Sequence, residues 1–98
     1  MTPQEGIILA ESYLQARYGS KAKDLKIMED KTIEVDFGWI FFYQSKSFLE
    51  TNNSKFMLVG NAPLIVDKIN RSVHPTGTCL PLQSYIDRYA NDIRKWPI

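Results

Sequence analysis

The stretch from Thr32 to Tyr43 reads Thr-Ile-Glu-Val-Asp-Phe-Gly-Trp-Ile-Phe-Phe-Tyr, and the fold is decided there. Every odd position from Ile33 onward is apolar or aromatic, whereas the even positions begin polar and become apolar at Ile40 and Phe42. Because successive side chains point to opposite faces of a strand, this alternation predicts one long strand with a continuous buried face. Its second face should be exposed to solvent in the first half of the strand and covered in the second half. Another part of the chain, or a partner, must therefore lie over Ile40 and Phe42.

The segments around this strand predict a meandering antiparallel sheet. Three shorter strands are expected, at Leu25–Glu29, Leu64–Asp67 and Val73–His74. The tight connection at Asp30 and Lys31 predicts a hairpin between the first short strand and the long one. Asn70 is the residue expected at positive φ in the turn between the last two strands. Gly38, in the middle of the long strand, indicates a bulge or a close approach of another backbone.

The first residues carry the signals of a helix start. Thr2 can cap free backbone donors, Pro3 suits the first helical position, and Glu5 completes a capping box. Apolar residues then recur at spacings of three and four, which predicts one apolar stripe. Gly19 is expected to end this helix in a left-handed conformation.

A second helix is predicted at the end of the chain. It should open at Pro81, place its apolar side chains on one face, and carry Arg94 and Lys95 in its last turn before Pro97 ends it. The order of helix, strands and helix predicts an α+β fold: an N-terminal helix, an antiparallel four-stranded meander sheet, and a C-terminal helix packed on the sheet. Both helices are expected on the same face of that sheet.

Size and composition predict an ordinary globular chain. Ninety-eight residues suit one domain spanning residues 1–98, and 44% hydrophobic with 23% charged residues is typical of soluble proteins. A net charge of +1 does not favour direct binding to nucleic acid or to a membrane surface. The N-terminus lacks the charged start and apolar core of a secretory leader, and a lone Cys79 fits a reducing compartment. A cytoplasmic location is expected.

The segment from Ser45 to Gly60 loses the regular pattern but contains the apolar run Phe56–Val59. We expect it to fold back over Ile40 and Phe42, because four consecutive apolar residues are unusual in a free loop. A second copy of the chain could cover the same two residues instead, so both a monomer and a homodimer are compatible with the pattern.

The residue types that carry catalysis or bind metals are few. His74 and Cys79 could be considered as a thiol-imidazole pair, and Asp67 with His74 as metal ligands. One histidine and one cysteine leave too few ligands for a metal site, and the glycines are too far apart for a phosphate-binding loop. The sequence therefore predicts a protein that is not an enzyme and needs no cofactor.

Acidic residues concentrate in one segment. Between residues 29 and 36, four carboxylates (Glu29, Asp30, Glu34 and Asp36) face one cation, Lys31, which gives a local charge of −3. Surface solubility is the simpler explanation. The alternative is a patch that meets a basic partner, such as a nucleic-acid-processing enzyme, where complementary charge speeds encounter.

Several short motifs, in order, resemble the YrhB-like proteins, also called the immunity protein 35 family. The motifs are Gly38-Trp39-Ile40-Phe41-Phe42-Tyr43, Phe48-Leu49-Glu50-Thr51, Gly60-Asn61-Ala62-Pro63, Val66-Asp67-Lys68, and Gly77-Thr78 with Pro81-Leu82 and Tyr85-Ile86. They extend over nearly the whole chain, from Ile7 to Tyr89. One departure is Ser72, where the family usually has a glycine after the turn.

The resemblance implies a small bacterial α+β protein encoded beside polymorphic or contact-dependent toxins. Its partner would be a cognate toxin, the C-terminal domain of a larger effector, which it binds and neutralises by occlusion. The motif residues themselves are better explained as fold-makers than as the binding site. Our hypothesis for the toxin-binding patch is the wet face of the hairpin with the neighbouring loop: Glu34, Asp36, Phe48 and Glu50.

A different class of function is also compatible with the sequence. A chaperone-like or general protein-interaction protein would bind unfolded chains weakly through exposed apolar surface such as Phe56–Val59. Saturable binding to a single folded partner would argue against this alternative.

Overall fold

The computed structural model describes residues 1–93, with side chains to residue 91. The predicted helix end at Arg94, Lys95 and Pro97 lies outside these residues. The elements in this range are α1 (Pro3–Tyr18), β1 (Leu25–Ile27), β2 (Ile33–Val35), β3 (Gly38–Phe41), β4 (Tyr43–Ser45), α2 (Lys46–Thr51), β5 (Leu64–Asp67), β6 (Ser72–Pro75) and α3 (Leu82–Arg88), which continues as a π-helical turn over Tyr89–Ile93. Among them, no helix has the length and apolar character that crossing a membrane requires.

The predicted α+β fold is confirmed. Strands β2, β3, β5 and β6 form a four-stranded antiparallel sheet in that order, with a helix at each end of the described chain. Gly38 pairs with Asp67 at one end of β3–β5, and Asp67 pairs with Ser72 across the next hairpin. Strands β1 and β4 form a separate antiparallel pair.

The prediction of one long strand was wrong, because the chain reverses within it. Val35 pairs with Gly38, so Asp36 and Phe37 form a two-residue hairpin turn. The register places Ile33 opposite Ile40, and directly opposed residues share a face. The stripe of odd-numbered apolar residues therefore changes face at the turn, which explains why the even positions become apolar after Gly38.

The predicted hairpin turn at Asp30 and Lys31 was also wrong. Residues Glu29–Lys31 form a 3₁₀ turn that bulges between β1 and β2, and both of these strands pair with the β3–β4 ribbon. The backbone N–H of Met28 donates to the carbonyl of Phe42 at 2.8 Å, and this bond joins the two chain segments between the β1–β4 and β2–β3 pairs. We call residues 25–45 the long hairpin.

The helices lie on opposite faces of the sheet, not on one face as predicted. Successive side chains of β3 and β5 point to opposite faces of the sheet, and all of them are buried, so both faces are covered. The face toward α1 forms a core with Ala10, Leu14, Ile27, Trp39, Phe41, Tyr43, Leu64 and Val66. The face toward α3 forms a second core with Phe37, Ile40, Ile65, Ile86 and Tyr89, against which Phe42 packs. The C-terminal helix, and not the 45–60 segment, covers Ile40 and Phe42.

Helix α1 begins and ends where the sequence predicts. The Thr2 hydroxyl accepts from the backbone N–H of Glu5 at 3.2 Å, and the Glu5 carboxylate accepts from the Thr2 N–H at 2.9 Å, which completes the capping box. Gly19 follows the last turn at a positive φ of 62°. Gly6 is buried where the helix crosses the sheet, and a Cβ there would lie 2.9 Å from Cε3 of Trp39. A glycine at this position lets α1 approach the indole closely.

The segment after α2 runs beside β4 and is held there by side-chain amides. Gln44 Oε1 accepts from the backbone N–H of Ser45 at 2.8 Å and of Leu58 at 2.7 Å, and its Nε2 donates to the Leu58 carbonyl at 3.3 Å. Asn61 Nδ2 donates to the Tyr43 carbonyl at 2.7 Å. These bonds satisfy strand-edge groups of β4 in place of a paired strand, and Leu58 packs on the core under α1.

The turn between β5 and β6 differs by one residue from the prediction. Arg71, with a φ of 52°, takes the left-handed position expected for Asn70. The reason lies in Asn70 itself, whose backbone N–H and side-chain amide both donate to the Asp67 carboxylate. Those two bonds place Asn70 one step earlier in the turn.

Gly38 provides a test of the sheet packing, because a Cβ at this position would lie 1.9 Å from the Val66 carbonyl oxygen. We expect Gly38→Ala to lower the free energy of unfolding by about 3 kcal/mol or more, since backbone cannot move aside as a flexible side chain can. Gly60→Ala is the matched control: its φ of 80° is strained for alanine, but nothing lies within 4 Å. That variant should lose only about 1 kcal/mol. Equal losses in urea unfolding would contradict the close approach.

Candidate functional site

The buried carboxylate of Asp67 is the most strongly bonded polar group in the described chain. Its Oδ1 accepts from the backbone N–H groups of Ile69 at 2.9 Å and Asn70 at 3.0 Å. Its Oδ2 accepts from the Tyr89 hydroxyl at 2.7 Å and from Asn70 Nδ2 at 3.1 Å. Burial, followed by the bond to Asp67, raises the pKa of Tyr89 and keeps its hydroxyl a donor. The arrangement ties the β5–β6 turn to the C-terminal helix, which is a structural role.

His74 belongs to the same cluster. Its ring centroid lies 4.6 Å from that of Tyr89, and its Nε2 is 2.8 Å from the Ser72 hydroxyl. Burial lowers the pKa of His74, while the negative charge of Asp67 acts in the opposite direction. The imidazole is thus built into the interface between β6 and the helix.

Among the residues that it describes, the structure does not bring His74 and Cys79 together as a thiol-imidazole pair, and it does not build a metal site around Asp67 and His74. Cys79 is exposed in the loop before α3, where its backbone N–H donates to the Tyr85 hydroxyl at 3.1 Å. His74 instead packs against Tyr89, and no hydrogen bond joins it to Cys79 within residues 1–93. Across the same residues, no group of three His, Cys, Asp or Glu side chains is placed to hold a metal ion.

The four residues of the predicted binding patch divide between two places. Glu34 is exposed on the edge strand β2, and Asp36 is exposed in the adjoining turn. Phe48 is half-buried and Glu50 exposed on α2, which starts after β4. Eight extended residues of the β3–β4 ribbon separate the turn from α2, roughly 26 Å at about 3.3 Å per residue. The structure therefore divides the predicted patch into two separate pairs, Glu34 with Asp36 and Phe48 with Glu50.

The bulge of the long hairpin lies between these pairs. An open cleft of about 420 Å³ is lined by residues 26–31 and by Leu49 of α2. Glu29 and Asp30 are both exposed in this bulge. They continue the row of carboxylates from the hairpin turn toward α2, on the side where Leu49 borders the cleft. We call Glu29, Asp30, Glu34 and Asp36 together the acidic edge.

Two exposed apolar residues beside the acidic edge were missed in the sequence. Ile33 is 39% exposed and Leu49 is 42% exposed. The alternation of apolar residues predicts a buried Ile33, because it does not reveal the turn at Asp36. The lack of an Asn-Gly or Asp-Gly pair at this turn removed the usual signal for a two-residue hairpin.

Comparison with known proteins now identifies the family. The model of the family described as Immunity protein 35 matches residues 4–89. The chain belongs to the immunity protein 35 family. It is also 42% identical over 79 residues to the protein YrhB of Escherichia coli (strain K12), an alignment that covers 81% of this chain and 84% of YrhB. YrhB is described as uncharacterized, so it adds no activity. No solved structure matches the chain.

The family motifs lie mainly in the framework. Trp39 and Phe41 are buried against α1, and Gly60 adopts a positive φ of 80°. The Pro63 carbonyl accepts from both the backbone N–H and the hydroxyl of Thr76, at 3.1 and 2.7 Å. Buried and backbone-bonded groups of this kind shape the domain, so a partner surface must be sought among exposed residues.

The bond between Tyr89 and Asp67 can be measured by a double-mutant cycle. Tyr89→Phe should lower the free energy of unfolding by about 1.5–3 kcal/mol, because a buried carboxylate loses a charge-assisted bond. In the background of Asp67→Asn, the same change should cost clearly less. Additive losses in urea unfolding would show that the two groups are not coupled.

The low pKa of His74 predicts a pH dependence of stability. The folded value lies below the ordinary 6.5, so the unfolded chain binds the proton more readily. The contribution of His74 is fully retained above about pH 6.5 and declines as the pH falls below it. The urea midpoint should therefore decrease from pH 7.5 to 5.5, and His74→Gln should flatten that decrease. An unchanged slope in the variant would assign the effect to other groups.

Proposed function

We propose that this protein neutralises a cognate bacterial toxin by binding it at equal stoichiometry. Membership of the immunity protein 35 family carries the proposal, since the match extends over residues 4–89. The partner is a toxin domain, the C-terminal part of a larger effector, which the protein meets in the cytoplasm. The protein acts by occupying a surface and needs no chemistry or cofactor of its own. A monomer and a homodimer are both compatible with this mechanism.

The acidic edge is the binding surface that we propose. Its four carboxylates are exposed, Leu49 borders the same cleft as Glu29 and Asp30, and the exposed Ile33 precedes Glu34 on the edge strand. Carboxylates facing a basic groove would speed encounter and exclude wrong partners, while exposed apolar side chains would supply anchors once water is expelled. In this proposal Glu34 and Asp36 make the first contacts, and Phe48 and Glu50 border the surface on α2.

A structural explanation for the acidic edge also exists, and it must be separated by experiment. Strand β2 is short, lies at the edge of the sheet and is interrupted by a bulge on one side. Charges and bulges on such strands prevent edge-to-edge aggregation. Under that explanation, reversing the charges would leave toxin binding unchanged, and the protein would not self-associate, because lysine protects an edge strand as carboxylates do.

The test uses the toxin recovered from native cells with the tagged protein. Glu34→Lys with Asp36→Lys should weaken binding at least about tenfold, mainly through a slower association rate and a weaker salt dependence. Glu11→Lys with Asp87→Lys makes the same charge change at exposed sites away from the acidic edge. The rates are measured by biolayer interferometry. Equal affinity for all three proteins would exclude the acidic edge but not toxin binding.

One observation favours the chaperone-like alternative. Phe56, Met57 and Val59 are exposed in a segment without regular strands, as binding to unfolded chains would require. That alternative predicts many substoichiometric clients in the same purification. Recovery of one folded partner at equal ratio would exclude it.

A further inference from the structure

The end of the molecule where α1 finishes carries a concentration of positive charge. The cations are all exposed and come from four separate segments: Arg17, Lys21, Lys23, Lys46 and Lys55. We call this set the basic end. Within the described chain, the side chains of Lys21, Lys23 and Lys46 form no hydrogen bond or ion pair, although the Lys46 charge acts on nearby Asp24. The charges of Lys21 and Lys23 are therefore available to a partner, and that of Lys46 is partly so.

Two carboxylates lie at the same end, and one of them is engaged by the fold. Asp24 accepts from the hydroxyls of Ser45 and Ser47 at 2.7 and 2.6 Å, and from the backbone N–H of Ser47 at 3.0 Å. These bonds, with the nearby Lys46 charge, lower the pKa of Asp24. The other carboxylate is Glu11. Five cations against two carboxylates leave a local charge of about +3.

Two adjoining clefts open between these cations. The first, of about 520 Å³, is lined by the apolar side chains of Leu14, Leu25 and Ile27 and by the polar side chains of Glu11, Gln15, Ser20, Lys23 and Lys46. The second, of about 530 Å³, is lined by Leu25, Phe56, Leu58 and Val59, with Lys21 on its wall. Since Leu25 borders both, the clefts lie side by side. Together they form a depression with a mixed polar and apolar wall on one side of Leu25 and a mainly apolar wall on the other.

Apolar side chains beside the second cleft face solvent. Val59 is 88% exposed and Met57 is 47% exposed, although Leu58 between them packs on the core. The bonds from Gln44 and Asn61 hold this segment in place along β4. An apolar surface that is held open in this way is typical of a protein interface.

The details favour an acidic peptide over a nucleic acid. Single-stranded nucleic acids need free aromatic faces for stacking. Each of the two exposed rings here already has a cation over one face, with the Arg17 guanidinium 5.9 Å from the Tyr18 centroid and the Lys55 ammonium 5.4 Å from the Phe56 centroid. The second cleft has a mainly apolar wall that includes Leu25, Leu58 and Val59, which suits leucine-like side chains.

We propose that the basic end is a docking site for an acidic segment of a partner protein that carries apolar side chains at intervals. Two apolar side chains enter the adjoining clefts on either side of Leu25. Carboxylates of the segment pair with Lys21, Lys23 and Lys46. This surface is separate from the acidic edge, and its existence does not depend on the proposed toxin binding.

The test is selection of random twelve-residue peptides displayed on phage against the intact protein. Enriched peptides should combine aspartate or glutamate with leucine, isoleucine or phenylalanine. Synthetic versions should bind at least about tenfold more weakly to Lys23→Glu with Lys46→Glu, as measured by fluorescence anisotropy, and more weakly in high salt. Lys31→Glu with Lys68→Glu, the same charge change elsewhere, should bind like the parent. Circular dichroism checks that each variant is folded.

Three results would overturn the proposal. The first is enrichment of peptides without acidic residues, or no enrichment. The second is equal loss of affinity in both lysine variants, which would indicate a general charge effect. The third is tighter binding of a labelled single-stranded oligothymidylate than of every selected peptide, which would assign the surface to nucleic acid.

Discussion

The buried carboxylate of Asp67 is the constraint on which the arrangement of this domain depends. A charge without partners in the interior is costly, so every element that supplies a donor must stay in place. Asp67 ends β5, pairs with Gly38 and Ser72 in the sheet, and accepts bonds from the β5–β6 turn and from Tyr89. One side chain therefore links the central strands, the hairpin turn and the C-terminal helix. That link holds the C-terminal helix over Ile40, on the sheet face opposite α1.

How far the sequence predicts the fold depends on how local the signal is. The capping box at Thr2 and the strand Leu64–Asp67 depend on neighbouring residues of the sequence, and both predictions are confirmed, as is the α+β class. The reversal at Asp36 was not, because a two-residue turn exchanges odd and even positions between the two faces. An uninterrupted apolar alternation across such a turn looks like one strand. The placement of the helices on opposite faces follows from that exchange and was missed with it.

The same distinction applies to the candidate surfaces. The acidic edge could be found in the sequence because its carboxylates fall within eight consecutive residues, 29–36. The basic end could not, because its cations are dispersed from Arg17 to Lys55 and only the fold brings them together. The position of Leu49 at the cleft likewise depends on α2 lying beside the bulge. The molecule that results is nearly neutral overall but carries opposite charges on two distinct surfaces. Orientation during encounter with a partner is the physical consequence of that separation.

The function that we propose makes this protein a stoichiometric inhibitor of a toxin. The most direct measurement is to produce the partner domain inside unprotected indicator cells together with increasing amounts of this protein, with cell killing as the readout and both amounts quantified. Occlusion predicts that killing falls in proportion to added protein and reaches zero at a ratio of one to one. Unchanged killing at that ratio, or complete loss of killing far below it, would contradict the account.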